Sequence, residues 1–258
     1  MIEIDRIYNE DCLEGMKRID DKSVDCIITD LPYGTTACAW DTVIPFDRLW
    51  EQYRRITKPN AAIVLFGSEP FSSALVMSNP TMFRHEWIWV KNRGSNFANT
   101  VREPFKEHEK ILVFSQGKWT YNPIMQDRTG SGLDRAKYNC KFESHSDNYR
   151  KFDTRETNQL TEQRVPSSVQ YFKTSCGDDH FHPTQKPVSL IEYLVLTYTN
   201  KGDLVLDSCM GSGTTAIACI KAKRHFVGFE TDEGYFRQAE KRIWEERRQL
   251  TLDFEDVP

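Results

Sequence analysis

The sequence predicts an α/β protein: a mostly parallel sheet with helices on both faces. Short apolar runs are bounded by breakers, helix-period stretches separate them, and the alternation runs from one end of the chain to the other. The acidic start, Met1 to Asp5, has strand character. Val24 to Thr29 reads as a buried strand ending at Asp30. Ala61 to Phe66 is another, entered through Pro59-Asn60 and left through Gly67. His85 to Lys91 and Lys110 to Phe114 are rich in β-formers. A helix opens at Pro187, in its first turn, and runs through Leu190, Leu194 and Tyr198. Asp203 to Leu206 and His225 to Phe229 are the last strands, with a helix of small and apolar residues, Thr214 to Lys223, between them. Phe236, Ala239 and Ile243 give Glu233 to Leu250 helical spacing under a charged face.

At 258 residues, 39% of them hydrophobic, the chain can bury a core without disulfides or metal. No run approaches the ~20 apolar residues of a membrane span, and the start lacks a secretory signal. Seven cysteines at irregular spacing fit a reducing compartment, so the cytoplasm is expected. The net charge of −4 argues against a general nucleic-acid binder, but it is unevenly spread. Lys91 to Phe181 carries 15 Lys and Arg against 12 Asp and Glu, whereas Glu230 to Pro258 carries 5 against 9. The middle of the chain therefore remains able to face phosphates. Gly117 to Asp179 is polar with little periodicity, a length of loop that is usually functional. Cys140, His145, Cys176 and His180 within it match no common zinc spacing, so no metal is expected.

Three motifs carry chemistry. Asp207-Ser208-Cys209-Met210-Gly211-Ser212-Gly213-Thr214-Thr215 links a strand to a helix, and Glu230 closes the next strand. Glycines permit close approach to a ligand, the helix start offers free N–H groups, and an acid there can hold ribose hydroxyls. Gly211-x-Gly213-x-x-Ala216 also fits a relaxed dinucleotide fingerprint, so taken singly the motif means a nucleotide-like cofactor. Asp30-Leu31-Pro32-Tyr33 follows a buried strand, where open parallel sheets bind ligands. A carboxylate, a restrained backbone and an aromatic ring suit a planar ring bearing an amino group; the plain alternative is a Pro-containing strand cap. His182-Pro183-Thr184-Gln185-Lys186-Pro187 opens a helix, where Thr184 and Lys186 can meet a carboxylate.

In this order, Asp-Leu-Pro-Tyr, His-Pro-Thr-Gln-Lys-Pro and Asp-x-Cys-Met-Gly-Ser-Gly resemble the β-class amino DNA methyltransferases of bacteria and phages. The resemblance runs from Ile7 to about Ile243 and takes in Asn9-Glu10-Asp11-Cys12. Leu31 replaces the first Pro of the family's catalytic motif, where the acceptor is a main-chain carbonyl; Cys209 stands where relatives usually have Phe.

The resemblance implies a circularly permuted Rossmann-like fold dependent on S-adenosylmethionine (SAM), with the catalytic motif before the cofactor motif. It divides the chain into a catalytic half (1–116), a target-recognition insertion (117–180) and a SAM-binding half (181–258). Asp207, Cys209, Gly211, Ser212, Gly213, Thr214 and Thr215 would shape the SAM pocket. Glu230 would take the ribose hydroxyls, Asp11 with the Cys12 backbone the adenine edge, and Thr184 and Lys186 the methionine carboxylate. Asp30 and the Leu31 carbonyl, with Pro32 restraining the turn, would accept the amino hydrogens of a flipped base, and Tyr33 would stack on it. Arg128, Arg135, Lys137, Lys141, Arg150, Lys151 and Arg155 would contact double-stranded DNA. An initial Asp favours adenine N6, with cytosine N4 the alternative. A homodimer and a cognate restriction endonuclease are the partners the resemblance suggests. The rival readings are an NAD(P)-dependent enzyme, which leaves Asp30 to Tyr33 without a role, a methyltransferase for protein or small molecules, and an inactive DNA-recognition subunit.

Overall fold

The computed structural model describes residues 2–36, 38, 41–129, 133, 162–174 and 185–255. Ten strands form among these residues. β1 (Arg6–Tyr8), β2 (Val24–Thr29), β3 (Thr57–Gly67), β4 (Phe83–Val90) and β5 (His108–Phe114) precede β8 (Val169–Tyr171), β9 (Leu204–Asp207) and β10 (His225–Phe229) in an eight-stranded sheet. Its order is β1-β10-β9-β2-β3-β5-β4-β8. Neighbours from β1 to β3 are parallel, β5 runs antiparallel to both β3 and β4, and β8 is parallel to β4. The mostly parallel sheet is as expected.

The strands are apolar throughout because both faces are covered. Alternate residues of β2 and β3 divide between two cores. Cys26, Ile28, Ala62, Val64 and Phe66 pack against α4 (Val188–Tyr198), α5 (Thr214–Ala222) and α6 (Glu233–Glu255). Val24, Ile27, Ile63 and Leu65 pack against α1 (Cys12–Met16), α2 (Phe46–Ile56) and α3 (Phe71–Ser78). On α2 the buried residues Leu49, Trp50, Tyr53 and Ile56 fall on one stripe, and Arg54 and Arg55 sit in its last turn. Each such side chain contributes about 1.5–3 kcal/mol of burial.

Several boundaries differ from those expected. The first strand is Arg6–Tyr8, since pairing with β10 selects the register Ile7↔Gly228. β3 starts at Thr57, through Pro59. Pro187 is the residue before α4, so its missing N–H costs the helix nothing. Pro123–Ser167 forms a compact unit by itself. On the amino-terminal side Asn122 joins the larger unit by donating its N–H to Thr197 at 2.7 Å; on the other, β8 extends the main sheet. Within Pro123–Ser167, β6 (Gln126–Asp127) and β7 (Gln163–Arg164) form a two-stranded antiparallel sheet. Arg128 donates its Nε to the Gln163 carbonyl at 3.1 Å. Arg135, Lys137, Lys141, Arg150, Lys151 and Arg155, and the four candidate zinc ligands, lie outside the described residues. No helix among the described residues is long and apolar enough to cross a membrane.

Candidate active site

β2 and β9 lie side by side, with Ile27 opposite Leu206, although 179 residues separate them in the chain. From β2 the chain proceeds to β3 on one side; from β9 it proceeds to β10 on the other. The strand order reverses between them, which opens a crevice at their carboxyl ends. A cavity of about 470 Å³ occupies it, lined by Asp11, Cys12, Asp30 to Tyr33, Lys186, Asp207 to Ser212, Thr214, Thr215 and Glu230. Residues drawn from five separate parts of the sequence thus meet in one place. Gly213 caps α5 beside this wall, and Thr184 lies outside the described residues.

The cofactor-motif turn is built from its own hydrogen bonds. Gly211 and Gly213 have φ of +52° and +81°, the left-handed region that favours glycine. A Cβ on Gly213 would stand 3.0 Å from that of Ala239, so α6 approaches as closely as it can. Asp207 accepts from Thr215 Oγ1 at 2.6 Å and from the Cys209 amide at 3.0 Å. Burial pushes its carboxyl up to about 6, against the pull of those bonds. Glu230 accepts from the Gly211 amide at 2.8 Å and the Asp232 amide at 2.8 Å, and burial raises its pKa too. Asp11 caps α1, accepting from the Leu13 amide at 2.8 Å. Beside it the Cys12 thiol bonds Cys209, which with burial raises the Cys209 thiol well above its ordinary value. The Cys209 thiol is therefore neutral wall, not a nucleophile.

Leu31 is buried in the core and is also among the residues that line the cavity. Tyr33 stacks on Phe71, ring centroids 4.8 Å apart, and donates its hydroxyl to Asp30 Oδ1 at 2.7 Å. Asp30 Oδ2 is ion-paired with Lys186 Nζ. Lys186 also stands 3.6 Å from Glu109 Oε2, and Glu109 pairs with Lys91 at 2.9 Å. Burial works against the Lys186 charge, but Asp30 and Glu109 outweigh it and hold the ammonium above its usual value. Burial likewise disfavours the Glu109 carboxylate, and Lys186 and Lys91 bring it below the usual range. The result is a buried row of alternating charge that ends on Asp30.

Two residues here were not singled out from sequence. Glu109 is an acid ahead of an apolar strand, with no motif around it. Asp41 accepts from the amides of Gly34, Thr35 and Thr36 at 2.8, 2.9 and 2.6 Å, pinning the loop that follows Tyr33. Only the folded loop brings Asp41 back to those amides. Ser208 Oγ and Tyr53 Oη, 2.6 Å apart, tie the cofactor turn to α2.

A crevice at the switch point, walled by a glycine turn between two acidic strand ends and faced by Asp30 and Tyr33, defines a Rossmann-like group-transfer enzyme. The chain belongs to the DNA methylase family of N6 and N4 methyltransferases, whose profile spans residues 24–241. It is 28% identical over 256 residues to the Type II methyltransferase M.HpaI of Haemophilus parainfluenzae, covering 92% of this chain and 74% of that one. To M1.MboII of Moraxella bovis it is 28% identical over 254 residues, covering 93% and 96%. The crystal structure of the M1.HpyAVI–SAM complex superposes with a TM-score of 0.62 at 27% identity, covering 92% and 98%. The protein is a site-specific DNA methyltransferase.

Proposed function

We propose that this enzyme methylates N6 of adenine in double-stranded DNA, with the target base turned out of the stack into the cavity. SAM is the cofactor and supplies a methyl group made electrophilic by its sulfonium. The site suits that group, because carboxylates at two neighbouring strand ends complement a cation that carries ribose hydroxyls. Glu230 takes the hydroxyls with the lone pairs left after Gly211 and Asp232. Asp207, Cys209, Ser212, Thr214 and Thr215 shape the pocket, Asp11 and the Cys12 backbone meet the adenine edge, and Thr184 with Lys186 the methionine carboxylate.

The observation that carries the reading is Asp30 and Leu31 at the end of β2, beside Asp207 of β9, all lining one cavity. The lone pair of an aromatic amino group is delocalised into its ring and is a poor nucleophile. Two acceptors aligned on its hydrogens favour a pyramidal nitrogen with a directed lone pair. Asp30 then stabilises the positive charge that builds on that nitrogen. Its two oxygens offer about four lone-pair sites, and Tyr33 and Lys186 use two.

Glu230→Ala is expected to weaken SAM by about 1–3 kcal/mol, the cost of leaving buried hydroxyls unpaired. SAM affinity should also fall as pH drops through about 6, because protonating Asp207 removes a negative charge from the wall of a cation site. Calorimetry at several pH values checks both; unchanged affinity in Glu230→Ala would place the ribose elsewhere.

The choice of adenine rests on the initial Asp of Asp30-Leu31-Pro32-Tyr33, with cytosine N4 the alternative. Long-read sequencing of DNA from a methylation-free host expressing the protein reports base and motif together. Methylated adenine is expected, and N4-methylcytosine would reverse the choice. Residues 117–179 are proposed to select the sequence. A hybrid carrying that segment from a relative of different specificity should move the methylated motif; an active hybrid with its motif unchanged would rule the segment out. A homodimer and a cognate endonuclease belong to the same proposal, tested by sedimentation and by protection of host DNA.

A further inference from the structure

We propose that the loop between β4 and β5 is a wedge, and that Phe97 at its tip enters the duplex to fill the space left by the flipped base. The inference rests on the flipped-base reading above. Phe97 and Val101 are 79% and 87% exposed, among the most exposed large apolar side chains described. Single exposed apolar residues need no explanation. Here two of them crown a loop built to hold its shape.

Asn96 organises that loop. Its Oδ1 accepts from the Lys106 amide at 2.6 Å, and its Nδ2 donates to the Pro104 carbonyl at 3.0 Å. Lys91 and Ser95 donate across the base of the loop to Glu107 and Lys106. The ring of Phe105 fills the space where a side chain on Gly94 would stand. A 3₁₀ turn, Phe97–Asn99, forms the tip, and the Arg102 amide closes on the Asn99 carbonyl at 2.9 Å. The Phe97 carbonyl accepts from Thr100 Oγ1 at 2.9 Å within this scaffold, while the side chains of Phe97 and Val101 stand exposed on it.

The loop also stands in the right place. β5 is antiparallel to β3, so the loop rises from the sheet edge that carries the ends of β2, β3 and β9. Lys106 bonds Ser68 just beyond β3, and Glu109, two residues after the loop, lines the catalytic cavity. Arg93 and Arg102 flank the apolar tip and are exposed, positioned for phosphates. An apolar wedge between basic side chains matches proteins that unstack a base step, and an amino group inside a duplex can be reached only by such unstacking.

The test uses a duplex carrying the mapped recognition sequence, once fully paired and once with the target base mispaired. Phe97→Ala should bind SAM normally and methylate the paired duplex about tenfold more slowly, since extrusion then lacks its wedge. On the mispaired duplex, where the base is already loosened, its rate should return close to wild type, and Phe97→Leu should retain most activity on both. Wild-type rates for Phe97→Ala on the paired duplex would overturn the proposal. So would an equal loss on both duplexes, or a fall in self-association by sedimentation, which would make the tip a contact between copies. A fluorescent base analogue at the target position separates the two readings. No signal from the wild-type enzyme removes base flipping, and the wedge with it, while leaving methylation standing.

Discussion

Asp30→Ala is expected to lower kcat by at least about 10²–10³, the scale seen when one aligned group that stabilises developing charge is removed. The side chain touches the site alone: it bonds Tyr33 and Lys186 and takes no part in the apolar core. Lys186 keeps Glu109 as a partner at 3.6 Å, so the fold should survive with reduced stability, and the loss of rate should fall on kcat and not on SAM binding. Asp30→Asn separates charge from geometry, since its carbonyl still accepts one hydrogen but cannot balance the positive nitrogen. It should recover only a small part of the loss. Single-turnover methyl transfer together with SAM calorimetry decides the matter, and turnover like wild type in Asp30→Ala would remove this residue from the chemistry.

Lys186→Met should destabilise the fold by about 3 kcal/mol, the low end of the cost of breaking a buried ion pair. The low end applies because Glu109 keeps Lys91 at 2.9 Å and Asp30 is partly open to solvent. The pH dependence gives an independent check. Glu109 is held below its ordinary value, so its contribution is present above the usual carboxylate range near 4.3 and is lost as acid takes pH down through its lowered value. Lys186 is held above its ordinary value, so its contribution is present below about 10.4 and is lost as pH rises through its raised value. Between those limits the wild type should show a plateau of stability, and removing the lysine should lower it most there. Urea unfolding at roughly pH 3, 7 and 11, the outer two beyond those limits, measures the difference. A change below about 0.5 kcal/mol at neutral pH, the size of an ordinary surface substitution, would mean that the charge row carries no net stability.

The sequence by itself determined the α/β class, six of the strands, the three helices of the carboxyl-terminal third and the two motifs that line the cavity. It could do so because these features are local. Val24 to Thr29 and Ala61 to Phe66 are apolar without interruption, as strands covered on both faces must be. Asp30, Asp207, Glu230 and the two glycines stand at strand ends, where period and punctuation coincide. Helices α2 and α3 were not placed in advance: α2 mixes charge with its apolar stripe, and α3 is only eight residues long. Their identity depends on the sheet face that receives Trp50, Tyr53 and Leu75.

Only the tertiary structure decided which distant groups meet. β2 and β9 pair across 179 residues, and that one adjacency turns two motifs into a single cavity. Lys186 is legible as part of His-Pro-Thr-Gln-Lys-Pro, but its pairing with Asp30 and Glu109 is not, since ion pairs depend on geometry that no spacing encodes. Asp41 and Glu109 carry no sequence signature, because one acts through three amides of its own loop and the other through a lysine 77 residues away. Local pattern fixes what each segment is; long-range packing fixes what it faces, and the chemistry of this site lies in what its segments face.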